Sequence, residues 1–195
     1  MKLIIFGRDG ILNRYREDHV KSPEEWSAIP GALEAVARLN HAGWHAVVAT
    51  NQAGIGRGMI DMASVNAIHA QMHREAQAAG ARIDAVFFCP HTPEEHCACR
   101  KPQPGMMLDI AERYGVALSA VPMVCDTSRD AQAAQAAGCE PHLVLTGRAA
   151  ALDDAQRALY VAQVPTARVH TDLAALAEAL LAGEPEMPGT VGARR

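Results

Sequence analysis

Short apolar runs of strand length recur along this chain, and each is followed by a stretch with helical periodicity. That alternation restricts the fold more than any other feature. Leu3-Ile4-Ile5-Phe6 is a continuous apolar run, as a strand buried on both faces requires. Leu33, Val36, Ala37 and Leu39 then mark the inner face of a helix. Trp44 to Ala49 reads as a second strand, and a helix over about 61–79 turns Val65, Ile68, Met72 and Ala76 inward. Ile83 to Phe88 is a third strand, and Pro104 to Tyr114 a helix with Pro104 in its first turn. Pro122 to Val124, a helix over 128–137 closed by Gly138, and His142 to Leu145 follow in the same rhythm. Beyond Gly147 the pattern weakens. Residues 149–162 read as helical, and Leu173, Leu176, Ala177, Leu180 and Leu181 form a stripe behind a Thr171 cap. Residues 183–195, rich in Gly and Pro, read as a loose tail.

Strict alternation predicts an α/β fold: a doubly wound, mostly parallel, Rossmann-like sheet with helices on both faces, in one domain over 1–182. A hydrophobic share of 49% and a charged share of 21% exclude a disordered chain. Only 4% of residues are aromatic, so Ala, Leu and Val must fill the core. The net charge of −4 argues against nucleic acid as a partner. No apolar run approaches the roughly 20 residues of a membrane span. Met1 to Phe6 is too short for a signal peptide, so a cytoplasmic chain is expected.

Ligands of such sheets bind beyond the carboxyl ends of the strands. The residues there are Gly7-Arg8-Asp9-Gly10, Thr50-Asn51-Gln52, Cys89-Pro90-His91 and Cys125-Asp126. Three of the five cysteines, Cys89, Cys97 and Cys99, lie within eleven residues. With His91 they make a Cys₃His set, the composition of a closed structural zinc site with no position open for catalysis. His96 is the alternative imidazole. His69 and His73 lie four residues apart with no Glu at position 70, which is not the zinc-protease pattern, and they read as helix-surface histidines.

Gly7 to Asn13, Thr50-Asn51-Gln52 with Gly56-Arg57-Gly58, Arg100-Lys101-Pro102, and Asp126 to Asp130 resemble, in order, the four motifs of the haloacid dehalogenase (HAD) phosphatases. The Cys-Pro-His and Cys-Ala-Cys segments resemble the heptose 1,7-bisphosphate 7-phosphatase branch, related to the histidinol-phosphate phosphatases. The resemblance covers about residues 1–148 and implies Mg²⁺-dependent hydrolysis of a sugar phosphate, with a structural Zn²⁺. It implies that Asp9 is the general acid and base and lends a backbone carbonyl to Mg²⁺. It also implies that Thr50 and the amide of Asn51 hold phosphate oxygens and that Lys101 supplies a fixed cation. Asp126 would hold Mg²⁺, and Asp130 would bind or orient its shell. Arg8, Arg57 and Arg100 are candidate phosphate or sugar contacts. The spacing between motifs leaves no room for a large cap domain, so segment 13–29 and the metal loop would set specificity.

The sequence departs from the family pattern at two positions. The first Asp of Asp-x-Asp-Gly is the nucleophile and a Mg²⁺ ligand; here it is Gly7, which can be neither. Cys125 stands where the family has Gly before the metal-binding Asp, and is expected to crowd the site. Descent therefore reads as phosphatase, while this chain reads as severely impaired. The alternatives are a non-catalytic relative that binds a sugar phosphate or a protein, and slow turnover with Asp9 or water as the nucleophile.

Overall fold

The computed structural model describes residues 1–183. The tail expected over 183–195 lies, but for Gly183, outside them. The chain runs β1 (Lys2–Phe6), α1 (Ala32–His41), β2 (Trp44–Asn51), α2 (Ala53–Gly56), α3 (Met62–Ala78), β3 (Ala85–Cys89), α4 (Gly105–Tyr114), β4 (Pro122–Cys125), α5 (Ser128–Ala137), β5 (Glu140–Val144), α6 (Asp154–Ala162), β6 (Arg168–His170) and α7 (Leu173–Ala182). The strands form one six-stranded sheet in the order β3-β2-β1-β4-β5-β6, every pair parallel.

The apolar run of β1 is continuous because both of its faces are covered. Ile4 and Phe6 join Val48, Val36, Ile68 and Leu176 in a core under α1, α3 and α7. Leu3 and Ile5 point the other way and join Val47, Met107, Ile110 and Ala134 under α4 and α5. This is the period-two alternation of a strand serving two cores at once. Chain order reverses between β1 and β4, with β2 and β3 laid to one side and β4, β5 and β6 to the other. The crevice beyond the carboxyl ends at that reversal is where such folds bind ligands. Among the described residues no helix is long and apolar enough to cross a membrane.

Several local expectations change. A sixth strand, Arg168–His170, extends the sheet; its three residues carry no apolar run that a sequence pattern could register. The third and fifth strands shift to Ala85–Cys89 and Glu140–Val144. The helix expected over 149–162 begins only at Asp154, after a short 3₁₀ turn over Arg148–Ala151. Asp153 accepts from the Gln156 backbone N–H while the Gln156 side chain accepts from Asp153, a reciprocal cap that fixes the start of α6. The cap of α7 is Asp172, accepting from Ala175, and not Thr171. Pro104 caps α4 from outside its first turn.

Candidate active site

The cleft lies over the carboxyl ends of β1, β2 and β4, with a volume of about 280 Å³. Gly7, Asp9, Thr50, Asn51, Arg57, Arg100, Lys101, Asp126 and Asp130, all singled out in the sequence, line it. The chain leaves β1 at Gly7, whose N–H donates to Val124 O at 3.1 Å. It then turns tightly, the Arg8 carbonyl accepting from Leu12 at 2.8 Å and from Asn13 at 3.2 Å. Gly10 is obligatory in that turn. Its φ is +79°, and a Cβ there would stand 2.3 Å from Asp126 Oδ2.

Asp9 is clamped. Arg8 Nη2 and Asn13 Nδ2 both donate to Oδ1 at 3.0 Å, and Gln52 Nε2 donates to Oδ2 at 3.1 Å. Burial pushes its carboxyl up, but the Arg8 charge and these donors outweigh it and hold Asp9 below the usual carboxylate range. Gln52 Nε2 also donates to Thr50 Oγ1 at 2.9 Å, which aims the threonine hydroxyl.

Lys101 stands on the cleft floor, buried, donating to Ala49 O at 2.9 Å and paired with Asp130 Oδ1 at 2.6 Å. Asn51 secures its backbone from both sides: Nδ2 donates to Lys101 O at 3.0 Å, and Lys101 N donates to Oδ1 at 3.1 Å. The Asn51 side chain is therefore engaged in placing Lys101 from within the cleft lining. Asp130 is likewise engaged. It accepts from Thr127 Oγ1 at 2.8 Å as well as pairing with Lys101, so it is the counterion of Lys101 more than a metal ligand. Burial raises the Asp130 carboxyl, but Lys101 and these donors bring it below its ordinary range. The opposite holds for Asp126, which burial first and Asp130 second push well above the usual range. The Tyr160 hydroxyl donates to the Asp126 main-chain carbonyl and fixes its position.

The structure makes two further corrections. Cys125 is fully buried, its Sγ donates to Met123 O at 3.4 Å, and it packs with Leu3 and Ile5 in the core under α4 and α5; it does not line the cleft. The obstruction at position 7 comes from elsewhere: a Cβ on Gly7 would meet Ile11 Cδ1 at 2.7 Å. His69 is buried and not a surface histidine. Arg8 also lines the cleft, its side chain buried against Asp9.

The sequence reading passed over other lining residues. Tyr15 and Arg148 line the mouth together, the guanidinium 4.2 Å from the ring centroid. Arg129 lies inside the fourth motif, and Arg148 follows the fifth strand closely, so the strand-end rule applied there would have found both. Tyr15, Arg16 and His19 of segment 13–29 line the cleft.

Beside the cleft, Cys89, His91, Cys97 and Cys99 bring their ligand atoms within 4.8 Å of one another. Cys99 Sγ lies 3.4 Å from both Cys97 Sγ and His91 Nδ1, and Cys89 Sγ lies 3.5 Å from Cys97 Sγ. A tetrahedral zinc sphere separates its sulfur ligands by about 3.7 Å, so this donor set fits Zn²⁺ as it stands. His96 is outside the set, in left-handed backbone at φ +47°. Arg100 Nη1 donates to His91 O at 3.1 Å, tying the metal loop to the cleft. For Mg²⁺ the donors are fewer. Asp126 supplies one carboxylate in the recess against Gly10 and Gly147, where any Cβ would collide with it. Mg²⁺ accepts one carboxylate with waters and phosphate oxygens completing its octahedron, so the residues present still fit it.

Residues 2–133 match the family described as polynucleotide kinase 3 phosphatase, and residues 98–176 the HAD-hydrolase-like family. A D-glycero-beta-D-manno-heptose-1,7-bisphosphate 7-phosphatase from Bordetella bronchiseptica is 52% identical over 182 residues, 93% of this chain and 98% of that protein. The protein of the same description from Pseudomonas aeruginosa is 42% identical, covering 92% and 97%. The crystal structure of the B. bronchiseptica D,D-heptose 1,7-bisphosphate phosphatase complexed with magnesium and phosphate superposes with a TM-score of 0.87, at 51% identity, covering 94% of this chain and all of that one.

Proposed function

Because this chain belongs to the D-glycero-beta-D-manno-heptose-1,7-bisphosphate 7-phosphatase family of HAD-like hydrolases, we propose that its cleft takes the 7-phosphate of a heptose bisphosphate and holds it without efficient hydrolysis. The observation that carries this reading is at the end of β1. A nucleophilic carboxylate at position 7 would face the phosphate; Gly7 has none, and Ile11 Cδ1 fills the space where its Cβ would begin.

The remaining residues suit phosphate recognition. Phosphoryl transfer asks a protein mainly for positioning and charge neutralisation. Lys101 supplies a cation whose direction Asn51, Ala49 and Asp130 fix. Thr50 offers a hydroxyl aimed by Gln52. Arg57 and Arg100 border the cleft for the sugar or its second phosphate. Mg²⁺, held by Asp126 and the Asp9 main-chain carbonyl, would neutralise phosphate charge when bound. Asp9 would carry the proton of the leaving alcohol were a nucleophile present. Zn²⁺ in the Cys₃His set would brace the loop that carries Arg100. Thiol ligands and two further free cysteines, Cys125 and Cys139, suit a reducing compartment, the cytoplasm. Residues 1–182 would act as one unit.

Loss of a nucleophile that works as part of a unit lowers turnover by about a millionfold in a well-studied protease, equivalent to roughly 8 kcal/mol of barrier. A water or Asp9, the latter already held by three donors, does not replace that. The test is titration calorimetry with D-glycero-beta-D-manno-heptose 1,7-bisphosphate, run beside a phosphate-release assay with Mg²⁺. Binding without release is expected. Release that is Mg²⁺-dependent and abolished by Asp9→Asn would show that the site uses another nucleophile. Absence of binding would refute the sugar-phosphate reading itself.

A further inference from the structure

His69 is a buried polar group that the proposed chemistry leaves unused. It sits on α3 between the core residues Ile68 and Met72, 8% exposed, its ring 5.9 Å from that of Phe88 on β3. Its Nε2 lies 3.3 Å from Arg8 Nη1. Arg8 is 1% exposed, and its other terminal nitrogen, Nη2, donates to Asp9 Oδ1 at 3.0 Å. A guanidinium has N–H donors and no acceptor, and it stays charged in proteins. In this contact the imidazole nitrogen must therefore be the acceptor. His69 is neutral, with its proton on Nδ1.

The guanidinium has few other restraints. Among the described residues, Arg8 Nε is buried with no hydrogen-bond partner, so the head is held at its two ends, by His69 and by Asp9. We propose that His69 is a positioning residue, fixing the plane of the Arg8 guanidinium so that Nη2 holds the Asp9 carboxylate in place. The row His69–Arg8–Asp9 runs from the α3 core to the acid-base carboxylate. This proposal rests on the reading of Asp9 as the proton carrier. The groups around the ring agree with a neutral imidazole: Arg8 from the β1 turn and His73 on α3 oppose a positive charge, and only Asp9 favours one. Burial is the largest influence, and together they bring His69 to about 4.

The experiment uses the unmodified chain and two variants, His69→Gln, which keeps an acceptor, and His69→Leu, which does not. Nitrogen-15 NMR of the histidines should show His69 with a bare Nε2 and a protonated Nδ1, unchanged between about pH 5.5 and pH 8. The Arg8 guanidinium N–H signals should be separately resolved in the parent and in His69→Gln, and averaged in His69→Leu. A protonated Nε2, or Arg8 signals indifferent to His69→Leu, overturns the proposal. Should His69→Leu fail to fold, the tautomer and His69→Gln still decide. In a Gly7→Asp, Ile11→Val background, His69→Leu should lower kcat by roughly tenfold or more with KM little changed, and His69→Gln should recover most of it. If Gly7→Asp, Ile11→Val does not turn over, the reading of the nucleophile fails while the NMR result stands separately.

Discussion

A Cβ built on Gly7 would stand 2.7 Å from Ile11 Cδ1, and Ile11 is fully buried. Restoring the carboxylate therefore means overpacking a tight turn as well as adding a charge. Gly7→Asp is expected to lose about 1–3 kcal/mol of stability. Ile11→Val removes the obstructing methyl at a cost of about 1 kcal/mol in the parent. The two substitutions should be non-additive in urea denaturation, the double variant more stable than their sum predicts. Strict additivity would show that Ile11 moves aside freely. The place of the proposed nucleophile is legible in the sequence because the motif fixes its position. The identity of the obstructing neighbour is not. Sequence order puts Cys125 beside Asp126, but a strand turns alternate side chains to opposite faces, and the Cys125 thiol faces the core. Asn51 and Asp130 were found as site residues, yet their service to Lys101 depends on pairings between distant segments, Asn51 fifty residues from Lys101, that only the folded chain displays.

Among the elements, those with long periodic stripes were legible and those stabilised from outside were not. The inner face expected for α3 is the one observed, with Val65, Ile68, Met72 and Ala76 buried. His69 borders that stripe and is drawn in by its contact with Arg8, which periodicity cannot register. β6 exists through pairing with β5, where His142 and His170 stack with ring planes 10° apart and nitrogens at 3.0 Å. Burial, with His170 adding to it, depresses His142 to about 4. A histidine depressed in the folded state binds its proton more readily when unfolded. Its contribution is complete above the ordinary value of 6.5 and is lost as pH falls from there towards about 4. That is up to about 3 kcal/mol. Stability measured by denaturant across this window should fall with pH, and His142→Gln should flatten the slope by about half, His69 supplying much of the rest. An unchanged slope would mean that the pair does not govern it. The metal loop, read from spacing alone, comes together as a four-ligand cluster. Elemental analysis of metal-replete protein should give about one zinc per chain, lost in a Cys97→Ser, Cys99→Ser double variant. Full retention in that variant would exclude this set as the ligands.

For the molecule as a whole, a parallel sheet with its order reversing between β1 and β4 brings five separate segments to one crevice. The residues proposed to bind phosphate are assembled there around Gly7, where the proposed nucleophile is absent. Mg²⁺ should bind more weakly to this chain than to Gly7→Asp, because Asp126 is left without its carboxylate partner; equal affinities by calorimetry would contradict that. The central claim is that one missing side chain separates this site from turnover. The most direct measurement is Mg²⁺-dependent phosphate release from D-glycero-beta-D-manno-heptose 1,7-bisphosphate by the parent chain and by Gly7→Asp, Ile11→Val under identical conditions. The account predicts release at or near background from the parent and release several orders of magnitude faster from the double variant. Comparable rates in the two proteins, with the parent's rate abolished by Asp9→Asn, would contradict it.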